Sequence, residues 1–216
     1  KKAAPVLLAP AHATLLKREA ATSRHKNAAR DCLIICLLLD HGLRCEEVAS
    51  LNMDAINLEA GTLVFYRHKV DLVQTHDLTG DTLQAGRRYL ASLPATRRED
   101  QGSPLFPGIA HKREDSTYNP MKAAKSARRA RDQRLAERTI AHLVERYGAA
   151  LELPGLSPHD CRHYWATYAI KAGTDIKALQ DAGGWASPAM PLKYAASARV
   201  ANQGVKLPGT NSLANM

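Results

Sequence analysis

The chain has 216 residues and a formal charge of +9, from 30 Lys and Arg against 21 Asp and Glu. That excess favours a polyanionic partner, nucleic acid before membrane, and no apolar run is long enough to span a bilayer, nor is a signal peptide visible. With 45% hydrophobic and 5% aromatic residues, the composition is that of an Ala/Leu-rich helical protein, long enough for one domain with a full core and a tail.

Residues 1–22 are Ala- and Pro-rich with a short basic run, and read as a linker remnant or as a first helix with a loose lead-in. The first strong helix is predicted from about Ser23 to His41, with Leu33, Ile34, Leu37 and Leu38 as its apolar stripe and Gly42 closing it. Cys32 and Cys36 lie i, i+4 inside that helix. With Cys45 and Cys161 they form no C-x-x-C, and all four read as buried, reduced thiols of a cytosolic protein. Arg44 follows the glycine, and Glu46 to Leu51 make a short helix with Val48 and Leu51 inward. Residues 61–67 read as a strand, 68–71 as a turn with Lys69 at its tip, and 72–78 as the return strand.

Asp81 to Leu93 is predicted as another helix. Residues 94–119 form a long polar connection, ordered by Leu105 and Phe106 packing down. Asn119-Pro120 then caps a helix from Met121 to Arg134 that carries Lys122, Lys125, Arg128, Arg129, Arg131 and Arg134 against one acid, Asp132. Such a face is either simply solvated or tracks phosphates. The same helix turns Ala141, Leu143, Val144 and Tyr147 inward before Gly148 ends it.

Chemistry concentrates between Ser157 and Ala195. Ser157-Pro158 reads as N-cap and first helical residue, so His159 and Arg162 share one face of a first turn, with His163 at the edge of that face. Gly173 ends that helix, Thr174 caps a second through about Gln180, and Gly183-Gly184 break it. Ser187-Pro188 opens a third, short helix that carries Tyr194. A His and an Arg at a helix N-terminus suit an anionic group, because the dipole and free N–H groups there already favour phosphate. A Tyr delivered by a separate helix can act as a nucleophile on it. A surface His, a salt-bridged Arg and a half-buried Tyr would fit the same letters.

The order His159-x-x-Arg162-His163, then Gly184-Trp185, then Tyr194 nine residues after the Trp, resembles the tyrosine recombinase (phage integrase) family. Upstream, Gly42-Leu43-Arg44, with Glu47 and Leu51 after it, is similar to the family's first arginine motif. Trp185 stands where His is commoner, Gly183 where the family usually has Leu, and Pro191 lies inside the nucleophile segment. The resemblance implies a mainly α fold with a small antiparallel β-sheet near Arg44, an α+β tyrosine recombinase catalytic domain. Residues 23–196 would form it, after a 1–22 lead-in and before a 197–216 tail. Family members usually carry an N-terminal DNA-binding domain as well, so the chain looks like an isolated catalytic half.

The activity implied is site-specific cleavage and rejoining of double-stranded DNA through a 3′-phosphotyrosyl intermediate. Tyr194 would be the nucleophile, Arg44 and Arg162 the phosphate-binding forks, and His159 a proton acceptor or phosphate donor. Lys69 would protonate the leaving 5′-oxygen, and Trp185 would hydrogen-bond phosphate and buttress Tyr194. No Asp/Glu cluster suggests a metal, so no cofactor is expected. The resemblance also implies a monomer without DNA, a tetramer on paired sites and a cytoplasmic, nucleoid-associated location. Two readings share these residues: an inactive DNA-binding protein of the same fold, and a type IB topoisomerase-like enzyme. A zinc site at His159-x-Cys161-x-His163 lacks the acid of a His-Glu-x-x-His helix and places Cys161 on another face.

Overall fold

The computed structural model describes residues 6–108 and 134–198. Helix α2 (Ala28–Asp40) is their centre: every side chain from Asp31 to Leu39 is buried, the mark of a helix packed on all sides. Around it lie α1 (Pro10–Thr22), α4 (Gly80–Ala91), α6 (Glu137–Ala150) and α7 (Pro158–Lys171). Helix α1 contributes Ala13, Leu16 and Ala20 to that core, so the helical alternative for residues 1–22 is the one adopted from Pro10 onward. Of the four cysteines, Cys32, Cys36 and Cys161 are buried, whereas Cys45 is only half-buried.

Between α2 and α4 the chain forms α3 (Cys45–Ser50) and a three-stranded antiparallel sheet, β1 (Ile56–Asn57), β2 (Thr62–Arg67) and β3 (Leu72–Asp77), in the order β1-β2-β3. The expected hairpin is present with Arg67 opposite Leu72, and β1 adds an unforeseen edge by pairing Ile56 with Leu63. Asp71 takes a left-handed φ of 50° in the turn, a conformation that Asp tolerates better than most residues, and its carboxylate accepts from the Tyr66 hydroxyl. Strand β2 alternates as a half-buried strand should, with Leu63, Phe65 and Arg67 inward and Val64 and Tyr66 outward.

Residues 94–108 are less irregular than expected: α5 (Ala95–Glu99) forms there, and Leu105 and Phe106 do pack down, both fully buried. Most of the expected Met121–Arg134 helix lies outside the described residues. Its last residue does not extend into α6: Arg134 makes an isolated bridge with Pro107, and α6 begins at Glu137.

The last three helices of the described residues enclose a second, smaller cluster beside the main core, with α7 shared between the two. Helices α7, α8 (Ile176–Gly183) and α9 (Ala189–Ala198) enclose a small cluster of Ala166, Leu179 and Tyr194, with Trp165, Ala169, Ile170, Trp185 and Met190 around it. Helix α7 starts as its sequence predicts, with the Asp160 carboxylate accepting from the backbone N–H and the hydroxyl of Ser157. Helix α8 is capped by Asp175 rather than Thr174, its carboxylate accepting from the N–H groups of Lys177 and Ala178. Pro191 is tolerated because it falls in the first turn of α9, where no intrahelical N–H is required.

Candidate active site

The turn from α2 to α3 sets the first arginine. Gly42 has φ +61°, and a Cβ there would lie 2.3 Å from the Trp165 ring. Gly42→Ala would combine left-handed strain with that collision. We expect it to lower stability by about 3 kcal/mol, read as a shift in urea midpoint at constant slope; an unchanged midpoint would show that the turn is not under this constraint.

Arg44 stands at the N-cap of α3, and the buried Glu47 organises it. One Glu47 oxygen accepts from the Arg44 N–H at 2.8 Å, and the other from Arg44 Nη1 at 2.8 Å and from Arg67 Nη1 at 2.7 Å. Burial pushes the Glu47 carboxyl upward, but Arg67 and Arg44 outweigh burial and hold it below its ordinary value. One carboxylate thus serves two guanidinium groups.

Arg162, one turn into α7, is buried at 5% exposure. Its Nη1 donates to the Gly42 carbonyl and its Nη2 to the Gly183 carbonyl at 2.5 Å, so it ties the α2–α3 turn to the end of α8. Burial, then Arg44 and Arg67, bring its pKa down to about 9, which leaves it cationic at neutral pH. Three guanidinium groups around one carboxylate leave a net positive site suited to a phosphate.

Gly184 ends α8 in the left-handed conformation, φ +57°, and turns the chain back so that Trp185 lies over it. The indole sits 4.6 Å from the Arg162 guanidinium carbon, and its ring centroid is 5.7 Å from that of Tyr194. It also covers Gly183, where a Cβ would fall 2.1 Å from the ring. That explains the absence of Leu at 183: with Trp at 185, no side chain fits.

Tyr194 is 3% exposed within the smaller cluster. Burial raises the pKa of its phenol, while Arg162 and Arg44 act in the opposite sense. The imidazole packed on it is that of His163, edge-on at 5.1 Å between ring centroids. His159, expected either to take the Tyr proton or to donate to phosphate, is exposed on the first turn of the same helix. His163 is half-buried, 3.4 Å from Thr167 Oγ1, and its pKa is lowered by burial first and then by His159.

Lys69 is exposed at the hairpin tip, two residues beyond the anchored Arg67. Lys122, Lys125, Arg128, Arg129 and Arg131 lie outside the described residues. Arg134 is described, and its guanidinium donates to the Ser50 and Leu51 carbonyls at 2.8 and 3.1 Å and to Asn52 Oδ1 at 2.5 Å. It therefore caps the C-terminal end of α3, where a cation complements the helix dipole. Cys161 is fully buried and His159 exposed, so the zinc alternative is not assembled, and among the described residues no group of three or more His, Cys, Asp or Glu side chains could hold a metal.

The structure therefore gathers Arg44, Arg162, Trp185 and Tyr194 and adds Glu47, Arg67 and His163, to which the sequence assigned no role. The alternation of β2 carried a signal for Arg67, because it puts a charged residue in register with the inward Leu63 and Phe65.

Comparison with known proteins points the same way. The family model described as the phage integrase family matches residues 12–200. The chain is 28% identical over 162 residues to tyrosine recombinase XerA of Pyrococcus furiosus, covering 75% of this chain and 48% of that protein. It is 31% identical over 154 residues to XerA of Thermococcus kodakarensis (70% and 45%), and 30% identical over 167 residues to tyrosine recombinase XerC of Alcanivorax borkumensis (77% and 48%). The chain thus spans about half the length of the curated relatives it matches. In fold it is similar to a crystal structure of XerA recombinase, with TM-score 0.66 at 23% identity, covering 90% of this chain and 61% of that one. It is also similar to XerH site-specific recombinase bound to its difH substrate, with TM-score 0.63 at 21% identity, covering 88% and 50%.

Proposed function

The chain belongs to the phage integrase family, and we propose that it cleaves and rejoins strands of double-stranded DNA at specific sites through a 3′-phosphotyrosyl intermediate. The observation that carries this reading is the convergence of Arg162, bonded to the Gly42 carbonyl two residues before Arg44, with Trp185 at 4.6 Å and, across that indole, Tyr194 at 5.7 Å between ring centroids. The Tyr194 Oη attacks phosphorus and loses its proton to an imidazole, His159 or the His163 packed edge-on against its ring. The pentacoordinate phosphorane carries more negative charge than the diester, so fixed guanidinium groups lower the barrier. Lys69 gives a proton to the departing 5′-oxygen. Rejoining is the reverse: a 5′-hydroxyl attacks the phosphotyrosine and Tyr194 leaves.

On this reading residues 23–196 carry the machinery with α1 packed against it, and Lys122, Lys125, Arg128, Arg129 and Arg131 track the phosphate backbone. The chain works in the cytoplasm on nucleoid DNA; among the described residues no helix is long and apolar enough to cross a membrane. It is a monomer when free and assembles as a tetramer on paired sites, with residues 197–216 contributing to that assembly.

The test is incubation with nicked suicide substrates, in which the cleaved strand diffuses away and a covalent protein–DNA adduct accumulates; absence of an adduct over a panel of family-type sites would overturn the reading. Because Arg44 and Arg162 supply the charge stabilisation, we expect cleavage in excess EDTA to match cleavage in magnesium. A divalent-ion requirement in the chemical step would rule out this mechanism.

A further inference from the structure

Arg67 is fully buried, and it is the largest fully buried side chain among the described residues. A guanidinium out of water is costly unless its donors are matched, and here each face of the group has a partner. Nε donates to Gln74 Oε1, Nη1 to Glu47 Oε1 at 2.7 Å, and Nη2 to the Ala182 carbonyl at 2.6 Å. Its carbon lies 4.7 Å from the centre of the Phe65 ring. Gln74 closes the circuit by donating to the Asp181 carbonyl. Gly184 lies against the stem: a Cβ there would be 2.3 Å from Arg67 Cδ.

Glu47, Ala182 and Gly184 each lead on to a candidate site residue. Glu47 holds both the N–H and the guanidinium of Arg44. Ala182 precedes Gly183, whose carbonyl accepts from Arg162, and Gly184 turns the chain into Trp185, which stacks on Tyr194. Lys69 follows Arg67 by two residues on the hairpin. The charge balance matters as well. With Arg67 sharing the Glu47 carboxylate, that negative charge is divided between two guanidinium groups, and Arg44 keeps more of its field for a phosphate.

We propose that Arg67 is a positioning residue that locks the Lys69 hairpin, the Arg44 turn and the 182–185 segment ahead of the nucleophile helix into one unit. It touches no reacting atom and acts through Glu47, Gln74 and the end of α8. This inference rests on the recombinase reading above.

The test is single-turnover cleavage of a suicide substrate by excess protein, with DNA affinity and thermal melting measured on the same preparations. Arg67→Lys keeps the charge but cannot serve three partners from one ammonium. Gln74→Leu removes the link from β3 to α8 at a half-buried position without leaving a buried charge alone. Misplacing catalytic groups by about 1 Å costs roughly 10²-fold. We therefore expect Arg67→Lys to cleave about 10²-fold more slowly and Gln74→Leu about tenfold more slowly, each at saturating protein, with DNA affinity within about threefold of wild type. If Arg67→Lys does not fold, Gln74→Leu decides alone. A folded variant that cleaves at the wild-type saturating rate, or one whose defect lies wholly in DNA affinity, overturns the proposal. A wild-type chain that forms no adduct sinks the recombinase reading and this inference together, whereas a cleaving wild type with equally fast variants sinks this one alone.

Discussion

Tyr194→Phe is expected to abolish the covalent adduct while leaving the fold and DNA binding intact. The substitution removes one oxygen and keeps the ring, so the contacts to His163 at 5.1 Å and to Trp185 at 5.7 Å survive. The small cluster with Ala166 and Leu179 stays filled as well. What is lost is the Oη itself. Burial raises the pKa of that phenol, and Arg162 and Arg44 act in the opposite sense. No second hydroxyl occupies the corresponding place on α9 before residue 197. Adduct on a suicide substrate should fall by more than about 10⁴-fold, below detection on a denaturing gel, while a mobility-shift titration stays within about threefold of wild type. Adduct of undiminished yield would show that another residue attacks the phosphate.

The parts of the site that were legible in the sequence are those set by local spacing. Helix caps placed Arg162 on the first turns of α7, and the glycine after α2 placed Arg44 at the start of α3. The parts that were not legible depend on partners far apart in the chain. The Arg67–Glu47 pair joins residues 20 apart, and the Arg67–Ala182 bond joins residues 115 apart, so neither has a periodic signature. Arg134 reads as one cation of a basic run until its carbonyl partners, 84 and 83 residues earlier, are in place. Strand β1 is two residues long and carries too little pattern to be seen. Motif order singles out His159, but it carries no signal that the neighbouring His163 packs edge-on against the Tyr194 ring. Gly183 and Trp185 each look like an isolated departure from the family, and only their contact shows that one permits the other.

Lys69→Ala is expected to slow cleavage of an ordinary phosphodiester by roughly 10²–10⁴-fold, the range for loss of a general acid. Lys69 sits exposed at the hairpin tip, while the strand beneath it is held by Arg67 to Glu47, and so to Arg44. That arrangement gives a long, flexible donor on a fixed base, suited to reaching an oxygen that appears only as the bond breaks. An alkoxide leaving group needs a proton because its conjugate acid is weak. A thiolate does not, since an ordinary thiol ionises near pH 8.5. A substrate with sulfur at the 5′-bridging position should therefore restore Lys69→Ala to within about tenfold of wild type. Tyr194→Phe, which lacks the attacking oxygen, should gain nothing from the same substrate. The comparison separates proton donation from phosphate binding: a lysine that only neutralises the non-bridging oxygens would be missed equally with oxygen or sulfur as the leaving atom. Equal defects on both substrates would thus assign Lys69 to binding and leave the leaving-group proton to another residue.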